Sequence, residues 1–350
     1  MMRRTAIATV AALILTMSIG APRSAAAAAP PPADFHIIKT ITTLAVIDYI
    51  TIDPQGRRAY VGRGHAVSVF DIDQGKFVGE VVDVPRAHGV AFAPGGSEGF
   101  ATAGSTNEVV VFDLKTLKVT RRIKAGLKPD AIIYEPASKK IYVFNSNGGT
   151  VSIIDPASPA TPLVTVEVGG TLEGAVSDGA GRVYVNAMER NDVAVIDTAQ
   201  AKTIARWPVG PGTAPIAMAI DTEHHRLFVG CENKKLIILS TDDGKVLGEA
   251  PIGGGCDGLV FDPQTGLVFS ANGLDGTLTV LREGPGGKFA PVQTLPTAKM
   301  ARTIAMDPKT RNLYLPTMIP AQIEFGSFGL LVVGTEPHGA AKSPAPAAAR

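Results

Sequence analysis

One repeated pattern limits what this chain can fold into more than any other feature. Its clearest copy spans residues 141–155. Tyr142, Val143 and Phe144 precede an Asn147-Gly148 pair, and Val151, Ile153 and Ile154 follow it. β-Branched and aromatic runs suit the pleated surface of a strand, and Asn-Gly supplies the positive φ angles of a tight hairpin turn. The pattern returns every 40 to 45 residues, counted on Asp53, Ala93, Glu135, Asp178, Asp221, Asp262 and Asp307, which end the first strand of each unit. Proline follows five of these positions (Pro54, Pro94, Pro136, Pro263 and Pro308), where it stops a strand and opens a turn. Every second strand carries an aromatic: Tyr60, Phe100, Tyr142, Tyr184, Phe228, Phe269 and Tyr314. The third strand usually closes on aspartate, as at Asp71, Asp113, Asp155 and Asp197, and a more polar fourth strand follows.

One such sheet cannot bury both of its faces, but copies stacked around an axis can. The expected fold is all-β, a seven-bladed β-propeller of four-stranded blades. The seventh unit has no fourth strand, and residues 35–43 form a spare strand of that type. The N-terminal strand is therefore expected to close the last blade and remove an exposed edge. The propeller would cover residues 35–334.

At this point the chain resembles the YVTN-repeat β-propellers, which include the YncE-like periplasmic proteins. The residues that carry the resemblance are Asp53-Pro54 with Tyr60-Val61, Tyr142-Val143 with Val151 to Asp155, and Tyr184-Val185-Asn186 with Val193 to Asp197. The resemblance implies seven blades and a periplasmic or secreted setting. It carries over no catalytic motif, because this family and its lactonase-like relatives include both binding proteins and enzymes.

The ends of the chain read differently from the repeats. Residues 1–29 have the layout of a signal peptide: Arg3-Arg4, an apolar run over 6–20, and Ala-x-Ala cleavage sites in 24–29. That run is shorter than the roughly 20 residues of a membrane span, so no stable membrane insertion is expected after cleavage. Cleavage also removes three arginines and turns the formal charge of +1 into a small negative one. Bulk nucleic-acid binding needs a concentrated basic face, and that balance argues against it. Residues 30–34 form a Pro-rich leader, and residues 335–350 a Pro/Ala tail expected to be disordered. Seven blades closed on themselves need no partner copy, so a monomer is expected.

Cys231 and Cys256 are the only cysteines. Both fall on loops expected at the same face, and an exported chain meets an oxidising compartment, so a disulfide is one expectation. Two buried thiols packed as small hydrophobes is the other.

Repeat equivalence permits a sharper reading. Five residues before each strand end stand Asp48, His88, Asp130, Glu173, Ile216, Asp257 and Arg302. Six of the seven are ionisable, and all begin the innermost strand of a blade, so they should ring one mouth of the channel. Loops after the second strands are expected on the same face, bringing Arg63, His65, Asn145, Asn186, Glu189, Arg190, Glu232 and Asn272. Such a ring could bind a small molecule, a peptide or an envelope protein needing both acceptors and an arginine. It could instead be a hydrated funnel of salt-bridged side chains. A second function is a metal-assisted, lactonase-like hydrolase or lyase, with Asp48, Asp130, Glu173 and Asp257 as candidate ligands of a divalent cation. No catalytic residue is assigned: the chain has no GxSxG, no phosphate-cradling glycine motif and no EF-hand-like loop.

Overall fold

A computed structural model describes residues 34–43, 48–158, 164–319 and 327–335. The signal peptide over 1–29, all of the leader except Asp34 and all of the tail except Thr335 lie outside the described residues. Among the described residues no helix is long and apolar enough to cross a membrane.

The repeat becomes seven four-stranded antiparallel sheets, in chain order within blades one to six. Blade one, for instance, is Ile50–Asp53, Arg58–Arg63, Ala66–Asp71 and Lys76–Val82. The N-terminal strand His36–Thr43 is the fourth strand of blade seven, pairing antiparallel with Ser327–Gly334 from Ile37↔Val333 to Thr40↔Leu331 and beyond. Phe35 anchors its start, with its ring edge-on to Phe269 of blade six at 5.0 Å. The first strand of blade seven is only Ala305–Met306, shorter than its six counterparts.

The recurring residues have plain physical work to do. The acid that ends a first strand accepts hydrogen bonds from the turn after it. Glu135 takes those of Ala137 N and Ser138 N at 3.0 and 2.6 Å, and Asp178 those of Ala180 N and Arg182 N at 2.8 and 2.9 Å. The second-strand aromatics are all at most 3 % exposed. They cement neighbouring blades: Tyr60 meets Phe92 and Phe112 of blade two at 4.8 and 5.9 Å, and Phe228 meets Phe261 and Phe289 of blade six at 5.4 and 5.1 Å. Each apolar cluster accordingly draws on adjacent blades, as Tyr60, Val69, Val90 and Phe112 do across blades one and two.

The disulfide expectation is corrected. Cys231 and Cys256 are free, buried thiols. Cys231 packs toward blade four, among Val193, Val209 and Ile237, whereas Cys256 packs against the other face of blade five, with Phe228 and Leu236. The blade-five sheet stands between them. Gly230 makes room for the second thiol, since a Cβ there would sit 2.8 Å from Cys256 Sγ. Burial pushes both thiols up to about 12, so neither is a nucleophile near neutral pH.

Candidate functional site

Backbone geometry aims the ring residues. The pairing of first and second strands slips between Ala87/Val90, Pro129/Ile132, Leu172/Ala175, Pro215/Ala217 and Cys256/Gly258. These bulges fall at His88, Asp130, Glu173, Ile216 and Asp257, and a bulge turns a side chain out of the regular alternation. Short ties hold adjacent blades together at this level. Thr303 Oγ1 donates to Asp48 O and Thr102 Oγ1 to Asp130 O, each at 2.7 Å. Gly62 and Gly174 permit close approach between blades: a Cβ there would lie 2.1 Å from His88 O or 2.5 Å from Ile216 O.

All seven ring positions line one cavity of about 660 Å³ at the mouth. His88 is hydrogen-bonded within it. The imidazole is 8 % exposed, Nδ1–H donates to Asp48 Oδ2 at 2.6 Å, and Asp130 Oδ1 lies 3.5 Å away. Burial pulls its pKa down, but the bond to Asp48 and the two nearby carboxylates outweigh that and the net shift is upward. Its Nε2 is buried and has no hydrogen-bond partner among the described residues. Lys128 Nζ stands 3.5 Å from Asp130 Oδ2. Arg302 Nε lies 3.1 Å from Asp257 Oδ2, without the alignment of a hydrogen bond.

The carboxyls respond to this crowding. Burial, reinforced by the charges of Asp130 and Asp257, lifts Glu173 to about 7. Burial also lifts Asp257 to about 6, with Arg302 offsetting part of the rise. Asp130 moves up for the same first reason, moderated by His88. Among the described residues Glu173 is the ring carboxylate that makes no ion pair with a basic side chain.

Of the loop residues expected at the mouth, only Glu232 reaches the cavity. Arg63, His65 and Asn145 are corrected as ligand contacts. Arg63 turns along its own blade to Ser68 Oγ at 3.2 Å and to Glu80. His65 is exposed in the turn between two strands. Asn145 is fully buried: its Oδ1 accepts from Gly126 N, and its Nδ2 donates to Thr150 Oγ1 and Ser152 Oγ, all at 3.0 Å. Asn272 braces the equivalent turn of blade six on Thr277 and Thr279, and Asn186 donates to Ala217 O. Glu189 and Arg190 sit in a one-turn helix, Met188–Arg190, with Arg190 paired to Asp192 at 3.4 Å.

The four candidate metal ligands are Asp48, Asp130, Glu173 and Asp257 of the ring. No group of three His, Cys, Asp or Glu side chains among the described residues converges as metal ligands would. They stand on four separate blades, and three of them already face a basic side chain.

The residue the sequence reading missed is Tyr49. Just inside the ring, the next residue of each inner strand is Tyr49, Gly89, Ala131, Gly174, Ala217, Gly258 or Thr303, and all seven line a second space of about 160 Å³ deeper in the channel. Tyr49 is the one large side chain in that layer. It lines both spaces and packs against the apolar cluster of blades three and four that holds the buried Ala131. It is the floor of the mouth cavity, and six small residues leave it room. Burial raises its phenol well above the ordinary value, and the charges of Asp257, Asp130, Glu173 and Asp48 add to that. An aromatic in a column of small residues was visible in the repeat alignment.

The chain is similar in structure to other propellers. A chain in the crystal structure of a mitotic checkpoint complex superposes with TM-score 0.71 at 13 % identity, over 92 % of this chain and 98 % of that one. The crystal structure of RRP9 WD40 repeats gives 0.67 at 10 % identity, over 86 % and 98 %. The structure of U3-55K gives 0.67 at 10 %, over 86 % and 100 %. At these identities the likeness establishes the seven-bladed propeller fold alone. No family model matches the sequence, and no curated protein matches it.

Proposed function

We propose that this chain is an exported, monomeric binding protein of the YVTN-repeat type that takes up a small polar ligand or a peptide in the mouth cavity. One observation carries the reading: seven separate repeats each deliver their ring residue to one cavity of about 660 Å³, a size suited to a ligand rather than to a few waters. The lining is mixed, with carboxylates, basic groups, Tyr49, Met188, Leu274 and Met300. A closed propeller is a rigid scaffold, and one of its structural neighbours was solved within a multi-protein complex. Export is supported by the charged start, apolar run and Ala-x-Ala sites of residues 1–29.

The metal-assisted hydrolase has less behind it, because the carboxylates stand apart and three have basic partners. The mature chain should be screened against small polar ligands and short peptides by thermal shift, beside a mouth-filling variant, Ile216→Trp. A ligand that stabilises the parent and not the variant is the expected result. Equal stabilisation of both would move the binding site elsewhere on the molecule. N-terminal sequencing of the protein from the extracytoplasmic fraction should begin near Pro30.

A further inference from the structure

The mouth cavity is electrically lopsided. Arg86, His88, Lys128 and Arg302 all stand on the side formed by blades seven, one, two and three. Asp48, Asp130 and Asp257 face these groups. Blades four and five contribute Glu173, Ile216 and Glu232, with no basic residue. Glu173 is partly buried, faces the charges of Asp130, Asp257, Lys128 and His88, and makes no ion pair of its own among the described residues. Beside it Ile216 is the one apolar member of the ring, and Met188 continues that surface. Tyr49 lines the same cavity and the space deeper in the channel. An unpaired carboxylate, an aliphatic wall and an aromatic floor are together the complement of a cation on an alkyl stem.

We propose that the cavity recognises an alkylammonium or guanidinium group, held by Glu173 with its stem along Ile216 and its charge over Tyr49. This names the ligand class of the binding reading above and rests on it. The cation could belong to a free amine or to a lysine or arginine side chain. The exposed Leu274 at the rim, 67 % accessible, offers an apolar contact to residues flanking such a side chain.

The test is an NMR titration of the mature full chain with n-butylamine, agmatine, butyrate and a blocked lysine pentapeptide at pH 8, where Glu173 is ionised. The amines should bind, and at least tenfold more weakly to Glu173→Gln and to Tyr49→Leu. Glu173→Asp and Tyr49→Phe should keep most of the affinity, which separates lost recognition from a damaged fold. A pentapeptide that binds at least tenfold more tightly than butylamine identifies a peptide as the source of the cation, and the reverse identifies a free amine. If butyrate binds as well as butylamine, or Glu173→Gln changes nothing, the cation assignment is wrong although the cavity binds ligands. If no probe of either charge and nothing in the wider screen binds, the binding reading fails with it.

Discussion

At the end of the channel away from the mouth, Asp307 is fully buried and fully satisfied. Arg57 of blade one donates to it twice, at 2.7 and 2.8 Å, across the seam where the ring closes, and Lys309 N and Thr310 Oγ1 complete the set at 3.1 and 2.7 Å. Burial works against its charge, but these partners win and hold the carboxyl at about 2. At the mouth, Glu173 is partly buried without an ion-pair partner and rises to about 7. Arg226 to Glu283 at 2.8 Å, and Arg311 to Asp262, repeat the first arrangement between blades five, six and seven. The same repeat thus builds two kinds of carboxylate. One kind ties blades together, while the other lines the cavity without an ion-pair partner.

The largest expected effect is on the closing seam. Asp307→Ala removes the tie across the seam and leaves two turn donors unsatisfied, while Asp73 still holds the Arg57 guanidinium at 2.7 Å, so it should cost about 2 kcal/mol of stability, read from the midpoint of urea unfolding. A loss no larger than that from an exposed control would mean that the ion pairs at this end do not secure the ring.

The mouth should respond in the other direction. Glu173 binds its proton more tightly when folded than its ordinary value of 4.5, so its contribution declines as pH rises from about 4.5 to 7. Asp257 acts likewise between 3.8 and about 6. Asp307 is depressed below 3.8, so its contribution is lost as pH falls toward 2. Stability should therefore peak at roughly pH 4–5. Glu173→Gln should gain about 1–2 kcal/mol at pH 8 and flatten the alkaline side of the profile alone. A variant that loses stability at pH 8 would show that Glu173 is satisfied after all.

The smallest expected effect is at the cysteines. Reductant should leave the unfolding midpoint unchanged, and a thiol reagent should find both thiols only after denaturation. Both follow from burial on opposite faces of blade five. Protection by an oxidant and destabilisation by reductant would restore the disulfide.

The ring at the mouth was legible because it is periodic. Asp48, His88, Asp130, Glu173, Ile216, Asp257 and Arg302 hold one place in the repeat, and symmetry carries one place to one height on the axis. Arg63, His65 and Asn145 were misplaced because loop position does not give side-chain direction. Asn145 points back into its own turn, where three hydrogen bonds hold it. Lys128 and Arg86 reach the cavity from interblade turns, each two residues before a ring position, a column beside the one that was read.

By itself the sequence determined the number of blades, the strand order and the closure by residues 35–43, because each follows from spacing and from alternating apolar residues that must find a second layer. Which charges are paired was left to the tertiary structure. Asp48 and His88 are 40 residues apart yet share a 2.6 Å hydrogen bond, while Glu173 is left without an ion-pair partner. Only the packing of seven inner strands around one axis sets those distances and the desolvation that accompanies them. It also decided that Tyr49, the single bulky residue in its layer, would line both the mouth cavity and the space deeper in the channel.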